Sequence, residues 1–141
     1  MSSNHASLRH LPLSLLLMRL GVLAVMLPWT LDKFVRPEHA AGVFGNFYGM
    51  SGMASTVFLV VGTLQLLILL GFALGYLKVW TYGAVLAMHT VSTLASWKMY
   101  LAPFAPGPNL LFFAAWPMLA ACIALFLLRD HDTLFSPGSR R

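Results

Sequence analysis

Apolar residues gather in four long runs along this chain, each broken by few polar residues, at 11–34, 54–76, 79–100 and 110–128. A helix rises 1.5 Å per residue, and a hydrocarbon core about 30 Å thick takes about 20 residues to cross. All four runs meet that length. Hydrocarbon offers the backbone no partners, so each run is predicted to be a helix that satisfies its own hydrogen bonds. The pattern predicts an all-α, integral membrane four-helix bundle occupying 1–141 as a single domain.

The connections refine this picture. Spans two and three meet at a turn around Leu77 and Lys78, which makes them an antiparallel hairpin. Residues 102–109 (APFAPGPN) form a Pro- and Gly-rich link that cannot continue a helix, so Asn109 or the prolines before it start the fourth span. The longest loop, 35–53, holds Arg36-Pro37-Glu38-His39 and then GVFGNFYGMSGM. It is apolar yet rich in breakers, and is expected at the interface or folded back over the bundle mouth. There it is either a lid over a ligand or a passive segment anchored by its aromatics. The tails, 1–7 and 137–141, read as disordered. Pro28 removes one hydrogen bond and frees the carbonyl of Ala24, which predicts a kink beside Trp29; Trp116-Pro117 predicts a second.

Composition supports a membrane setting. The chain is 59% hydrophobic and 9% charged, with mean hydropathy +0.78, against about 25% charged residues in soluble domains. Its net charge of +5 comes from nine Lys and Arg that flank the spans or lie in the tails. That placement anchors a protein at a membrane surface and excludes a nucleic-acid footprint. The first run is too long for a signal-peptide core and is followed by no small-x-small cleavage site, so it is expected to be retained. Four spans put both termini on one side, where Arg9, Arg19, Lys78, Arg129, Arg140 and Arg141 outnumber Lys33, Arg36 and Lys98 opposite. The bias favours cytoplasmic termini. The single cysteine, Cys122, lies inside span four and reads as a small packing residue.

Polar residues within the spans are where function would reside, because each costs energy there and turns toward the protein interior. Arg19 lies two turns into span one, about 20 Å of rise from Asp32, so those two cannot pair. It is expected to reach lipid phosphates or to act as a structural charge, meeting Asp130 or Asp132 beyond span four. Gln65 is the one amide of span two, at a depth where it can bond across helices. Gly71 and Gly75 have the small-xxx-small spacing that admits a close neighbour. Tyr82, His89 and Ser96 repeat every seven residues on span three, with Ser92 and Thr93 one turn beyond His89, so they form one inward stripe. His89 is read either as a neutral imidazole bonded to Gln65 or a serine, or as a proton-transfer or headgroup contact. No second His or Cys lies at ligand spacing, and a metal site is not expected.

The order of residues resembles the DoxX-like superfamily of small four-helix bacterial membrane proteins. The resemblance starts at Arg19 in MRLGVLAVMLPWTLDKF, where the family has an early Arg and a closing G-x-x-K. Lys33 matches that lysine, while Thr30 stands at the glycine position. It continues through VVGTLQLLILLGFALGYLK, where Gln65 stands at a position that is commonly acidic and Lys78 fills the basic one, and it covers about 19–128. The resemblance implies the bacterial inner membrane and an association with respiratory, redox or oxidative-stress assemblies, which in this family include a thiosulfate–quinone oxidoreductase.

Two readings of function follow. In the first, the chain is an accessory subunit that docks a redox partner, as another subunit or a second copy, and helps shape a quinone or lipid site. In the second it is an oxidoreductase subunit with its own quinone pocket, lined by Trp29, Asp32, Lys33, Gln65, His89 and Ser92. Such a pocket needs a donor for each quinone oxygen and an apolar slot for the ring. Passage of a small solute past Gln65 and the His89 stripe is a third.

Overall fold

The structure, a computed structural model, describes residues 8–137. The expected disorder of the tails falls, apart from Pro137, outside those residues. Among them the chain is helical and has no strand. Helix α1 (Leu11–Val35) leads through Arg36 into α2 (Pro37–Tyr48), then α3 (Ser55–Ala73), α4 (Lys78–Ala95) and the short α5 (Trp97–Leu101). A 3-10 segment, Asn109–Ala114, runs into α6 (Ala115–Leu127), and a final 3-10 turn spans Arg129–His131.

Helix α1 packs on α3, α3 on α4, α4 on α6, and α6 back on α1. One core joins them: Leu15 and Val22 from α1, Leu69 and Phe72 from α3, Tyr82 and Val85 from α4, Cys122 and Leu125 from α6. The outer faces are equally apolar, with Leu17, Leu67, Leu70, Leu111 and Leu127 all exposed. Water would not tolerate that surface, whereas acyl chains match it. Three helical stretches, Leu11–Val35, Ser55–Ala73 and Asn109–Leu127, are long and apolar enough to cross a membrane.

The run at 79–100 behaves differently. It is interrupted at Ser96, so α4 and α5 stand where one helix was expected. Thr90, Thr93 and Ser96 turn their hydroxyls back onto the carbonyls of Leu86, His89 and Ser92 at 2.7, 2.8 and 3.0 Å. Such back-bonding competes with the backbone ladder and weakens a helix where it accumulates. Helix α4 carries the chain's main polar stripe and is not among the three apolar stretches.

Residues 35–53, read as a loop, are mostly helix. Pro37 sits in the first turn with Glu38 behind it, and both favour a helix start. Ala40, Phe44, Phe47 and Tyr48 then recur at three- and four-residue spacing. Gly49 ends the helix at φ +68, a conformation other residues rarely adopt. Helix α1 runs through Pro28 without ending. Pro117 lies in the first turn of α6, and the turn before it is wound as 3-10, which suits a position lacking an N–H.

The hairpin between α3 and α4 closes tightly. Tyr76 N–H bonds Gly71 O at 2.8 Å and Gly75 N–H bonds Phe72 O at 3.1 Å, the paired bonds of a Schellman cap. Gly71 allows the return helix to approach, since a Cβ there would meet Thr81 Cγ2 at 2.6 Å. Gly62 does the same for α1, receiving the ring edge of Phe34 where a Cβ would be 2.7 Å away.

Candidate functional site

The last turns of α1 place three of the expected site residues together. Asp32 and Lys33 are both buried, although each bears a charge. The Asp32 carboxylate is fully engaged: Oδ1 accepts from Arg36 Nε at 2.7 Å and lies 2.6 Å from its Nη2, while Oδ2 is 2.6 Å from His39 Nδ1. Arg36 and His39 belong to the start of α2, so Asp32 clamps that helix to the end of α1. Trp29 contributes through its backbone. The residue is 53% exposed, and its ring stacks on His39 at 6.3 Å between centroids.

Lys33 is different. Only 8% of it is exposed, yet among the described residues no carboxylate lies within ion-pair distance. Its Nζ donates to Trp29 O at 3.1 Å and lies 5.9 Å from the centre of the Phe44 ring. An ammonium has three donors, and the bond to Trp29 O is the one that an acceptor among the described residues takes up. A cation taken from water and given one carbonyl and one aromatic ring is poorly compensated.

Helix α2 covers this end of the molecule. Phe44 meets Phe58 of α3 edge-on at 5.2 Å, Phe47 stacks on Phe112 at 5.5 Å, and Tyr48 Oη lies 2.8 Å from Ser92 Oγ on α4. One short helix thereby touches α1, α3, α4 and the start of the fourth apolar run. Ser92 enters the site from the outside; it is exposed, whereas Tyr82, His89, Thr93 and Ser96 of the same stripe are buried.

His89 and Gln65 are not joined to this group by any hydrogen bond among the described residues. His89 Nε2 lies 2.9 Å from Ala115 O, and Thr93 Oγ1 is 3.3 Å from the same nitrogen. A carbonyl accepts only, so Nε2 bears the proton. His89 ties α4 to α6. Gln65 is half-buried, and its Oε1 is enclosed with no hydrogen-bond partner among the described residues.

Arg19 occupies a second polar centre, near the other end of α1. It is 0% exposed and does not reach the lipid. Nη1 lies 3.2 Å from Tyr82 Oη and 3.5 Å from Asp132 Oδ2, and Nη2 donates to Leu134 O at 2.5 Å. Tyr82 donates to the same Asp132 oxygen at 2.6 Å. Of the two acids expected beyond the fourth span, Asp132 is the one that Arg19 meets. Reasoning from sequence gave Tyr82 an inward place but no partner, and left His39, Phe44 and Phe58 out of the site. The aromatic spacing of residues 44–48, taken as helical, would have found Phe44. Comparison with protein-family models, curated proteins and solved structures returned no match for this chain.

Proposed function

We propose that the chain is a four-span membrane bundle with cytoplasmic termini that serves as an accessory subunit of a redox assembly in a bacterial inner membrane. In this reading its Lys33 end forms part of a quinone or lipid-headgroup site. The observation that carries it is the buried Lys33 ammonium, with one donor taken up among the described residues, roofed by the aromatic helix α2. A quinone carbonyl or a headgroup oxygen is the acceptor such an ammonium lacks, and Phe44 supplies an apolar ring beside it. The resemblance of the Arg19, Lys33 and Lys78 segments to DoxX-like proteins supports the redox setting. Helix α4 is assigned as the fourth crossing because α3 and α6 pack against it, Arg19 of α1 bonds its Tyr82, and its remaining surface is apolar, with Val79, Trp80, Val91 and Leu94 exposed. His89, occupied by Ala115 O, is given the task of holding α4 to α6.

The test is purification of the full chain from native membranes in mild detergent, followed by identification of what accompanies it. The expected result is a co-purifying membrane protein together with quinone or a defined lipid that is lost on Lys33→Ala and retained on Ser92→Ala. A small ligand that survives Lys33→Ala refutes the site, and isolation of the chain with neither companion refutes the subunit role.

A further inference from the structure

The segment after α6 lies against a surface made almost entirely of donors. Arg19 offers its guanidinium, Tyr82 its hydroxyl and Lys78 its ammonium. The segment answers with the Asp132 carboxylate and two backbone carbonyls: Lys78 Nζ donates to Asp132 O at 2.7 Å and Arg19 Nη2 to Leu134 O. Ser136 adds one bond, donating to Gly75 O at 3.0 Å. Arg19 and Asp132 are both 0% exposed.

The occupant fits imperfectly. Asp132 presents one oxygen, which both Tyr82 and Arg19 address, and the Arg19 contact is a single approach at 3.5 Å where a bidentate pair is possible. Asp132 Oδ1 and Arg19 Nε are enclosed and have no hydrogen-bond partner among the described residues. Two cations face one carboxylate, since Asp130 makes no ion pair within 4.0 Å among the described residues. Apolar packing does little to hold the segment: Phe135 is 81% exposed and sits at φ +50, a backbone conformation that bulky residues rarely adopt. Buried ion pairs contribute little net stability, and their best-attested use is in register and switching.

We propose that Arg19, Tyr82 and Lys78 form an oxyanion site that the chain's own Asp132 fills, and that a phosphate group can take Asp132's place when the C-terminal segment lifts away. A phosphate brings more acceptor oxygens than Asp132 presents. Arginine and lysine are the residues that recognise it. The site opens beside the α3–α4 turn, where an apolar run ends and lipid phosphates lie. Gly75 keeps it clear, because a Cβ there would come within 2.6 Å of Arg19 Nη1. The phosphate can belong to an anionic lipid or be free in solution.

Asp132→Asn separates the charge from the shape. The full-length variant and the unaltered chain are placed in phosphatidylcholine nanodiscs, in nanodiscs containing phosphatidylglycerol, and in phosphatidylcholine nanodiscs with inorganic phosphate in the buffer. The expected result is a lower Tm for Asp132→Asn in phosphatidylcholine alone and recovery of most of that loss in one of the other conditions. Recovery with phosphatidylglycerol names a lipid, and recovery with inorganic phosphate names the free anion. The unaltered chain should not respond, and Arg19→Gln combined with Asp132→Asn should abolish the recovery. No loss to recover, no recovery (including a variant that never folds), or equal recovery in the double variant overturns the proposal.

Discussion

Gly75 and Arg19 share one pocket of space although 56 residues separate them: a Cβ built on the glycine would stand 2.6 Å from Nη1 of the arginine. The same glycine holds φ +60 as it closes the α3–α4 hairpin. Turn and charge centre are therefore coupled through a position that tolerates no side chain. Gly75→Ala should cost more than the roughly 1 kcal/mol of a left-handed alanine, because Arg19 must also move off Tyr82 and Asp132. Thermal unfolding in detergent measures it, and Gly42→Ala, inside α2 with open space around it, is the control that should leave Tm unchanged or raised.

Two buried cations in one helix should respond oppositely to neutralisation. Arg19→Met removes the one cation that, among the described residues, pairs with the fully buried Asp132 carboxylate and leaves that carboxylate only the Tyr82 hydroxyl as a direct partner, a loss on the order of 3 kcal/mol. Lys33→Met removes a charge that no carboxylate within 4.0 Å needs, and keeps the side-chain length. It should leave stability unchanged or raised. Unfolding of both variants by denaturing detergent checks the contrast, and a loss for Lys33→Met as large as that for Arg19→Met would mean that Lys33 is a structural charge.

Three of the four expected crossings were legible in length and hydropathy, because an apolar run of about 20 has few alternatives, whereas the run at 79–100, broken at Ser96 and laced with Ser and Thr, was not. An acid after the fourth run was one of two partners open to Arg19, the other being a lipid phosphate, and the residues alone did not choose between them. Helix α2 was hidden because Gly42, Gly45 and Gly49 all count as breakers, whereas only Gly49 uses a left-handed conformation. The partners of His89, Lys33 and Arg19 were hidden for a different reason. Ala115, Trp29 and Leu134 serve through backbone carbonyls, which every residue carries and no side-chain pattern reveals.

Close packing at the hairpin can be tested by compensation. A Cβ on Gly71 would meet Thr81 Cγ2 at 2.6 Å, while the Thr81 hydroxyl bonds Tyr76 O at 2.9 Å. Thr81→Ser deletes the methyl and keeps that bond. Gly71→Ala alone should therefore destabilise by about 1–3 kcal/mol, as overpacking does. Adding Thr81→Ser should return much of the loss, so that the two changes are strongly non-additive. A double-mutant cycle by thermal unfolding reads the coupling; strictly additive losses would place the cost of Gly71→Ala elsewhere.

The clamp at Asp32 makes the last expectation dynamic. Its two oxygens hold Arg36 and His39, and through them the first turn of α2. Asp32→Asn keeps the volume and removes the charge that both partners address. Helix α2 has few other polar ties among the described residues, the main one being Tyr48 to Ser92, so releasing its start should raise its local opening while the apolar core is unaffected. Hydrogen exchange should therefore quicken across Pro37–Tyr48 in Asp32→Asn and stay unchanged in α3 and α6. Tyr48→Phe, which cuts the tie at the other end, should give a smaller effect confined to the last turn. Uniform acceleration through all helices would instead show that Asp32 supports the core, and equal protection in variant and parent would show that aromatic packing by Phe44 and Phe47 holds α2 in place without the clamp.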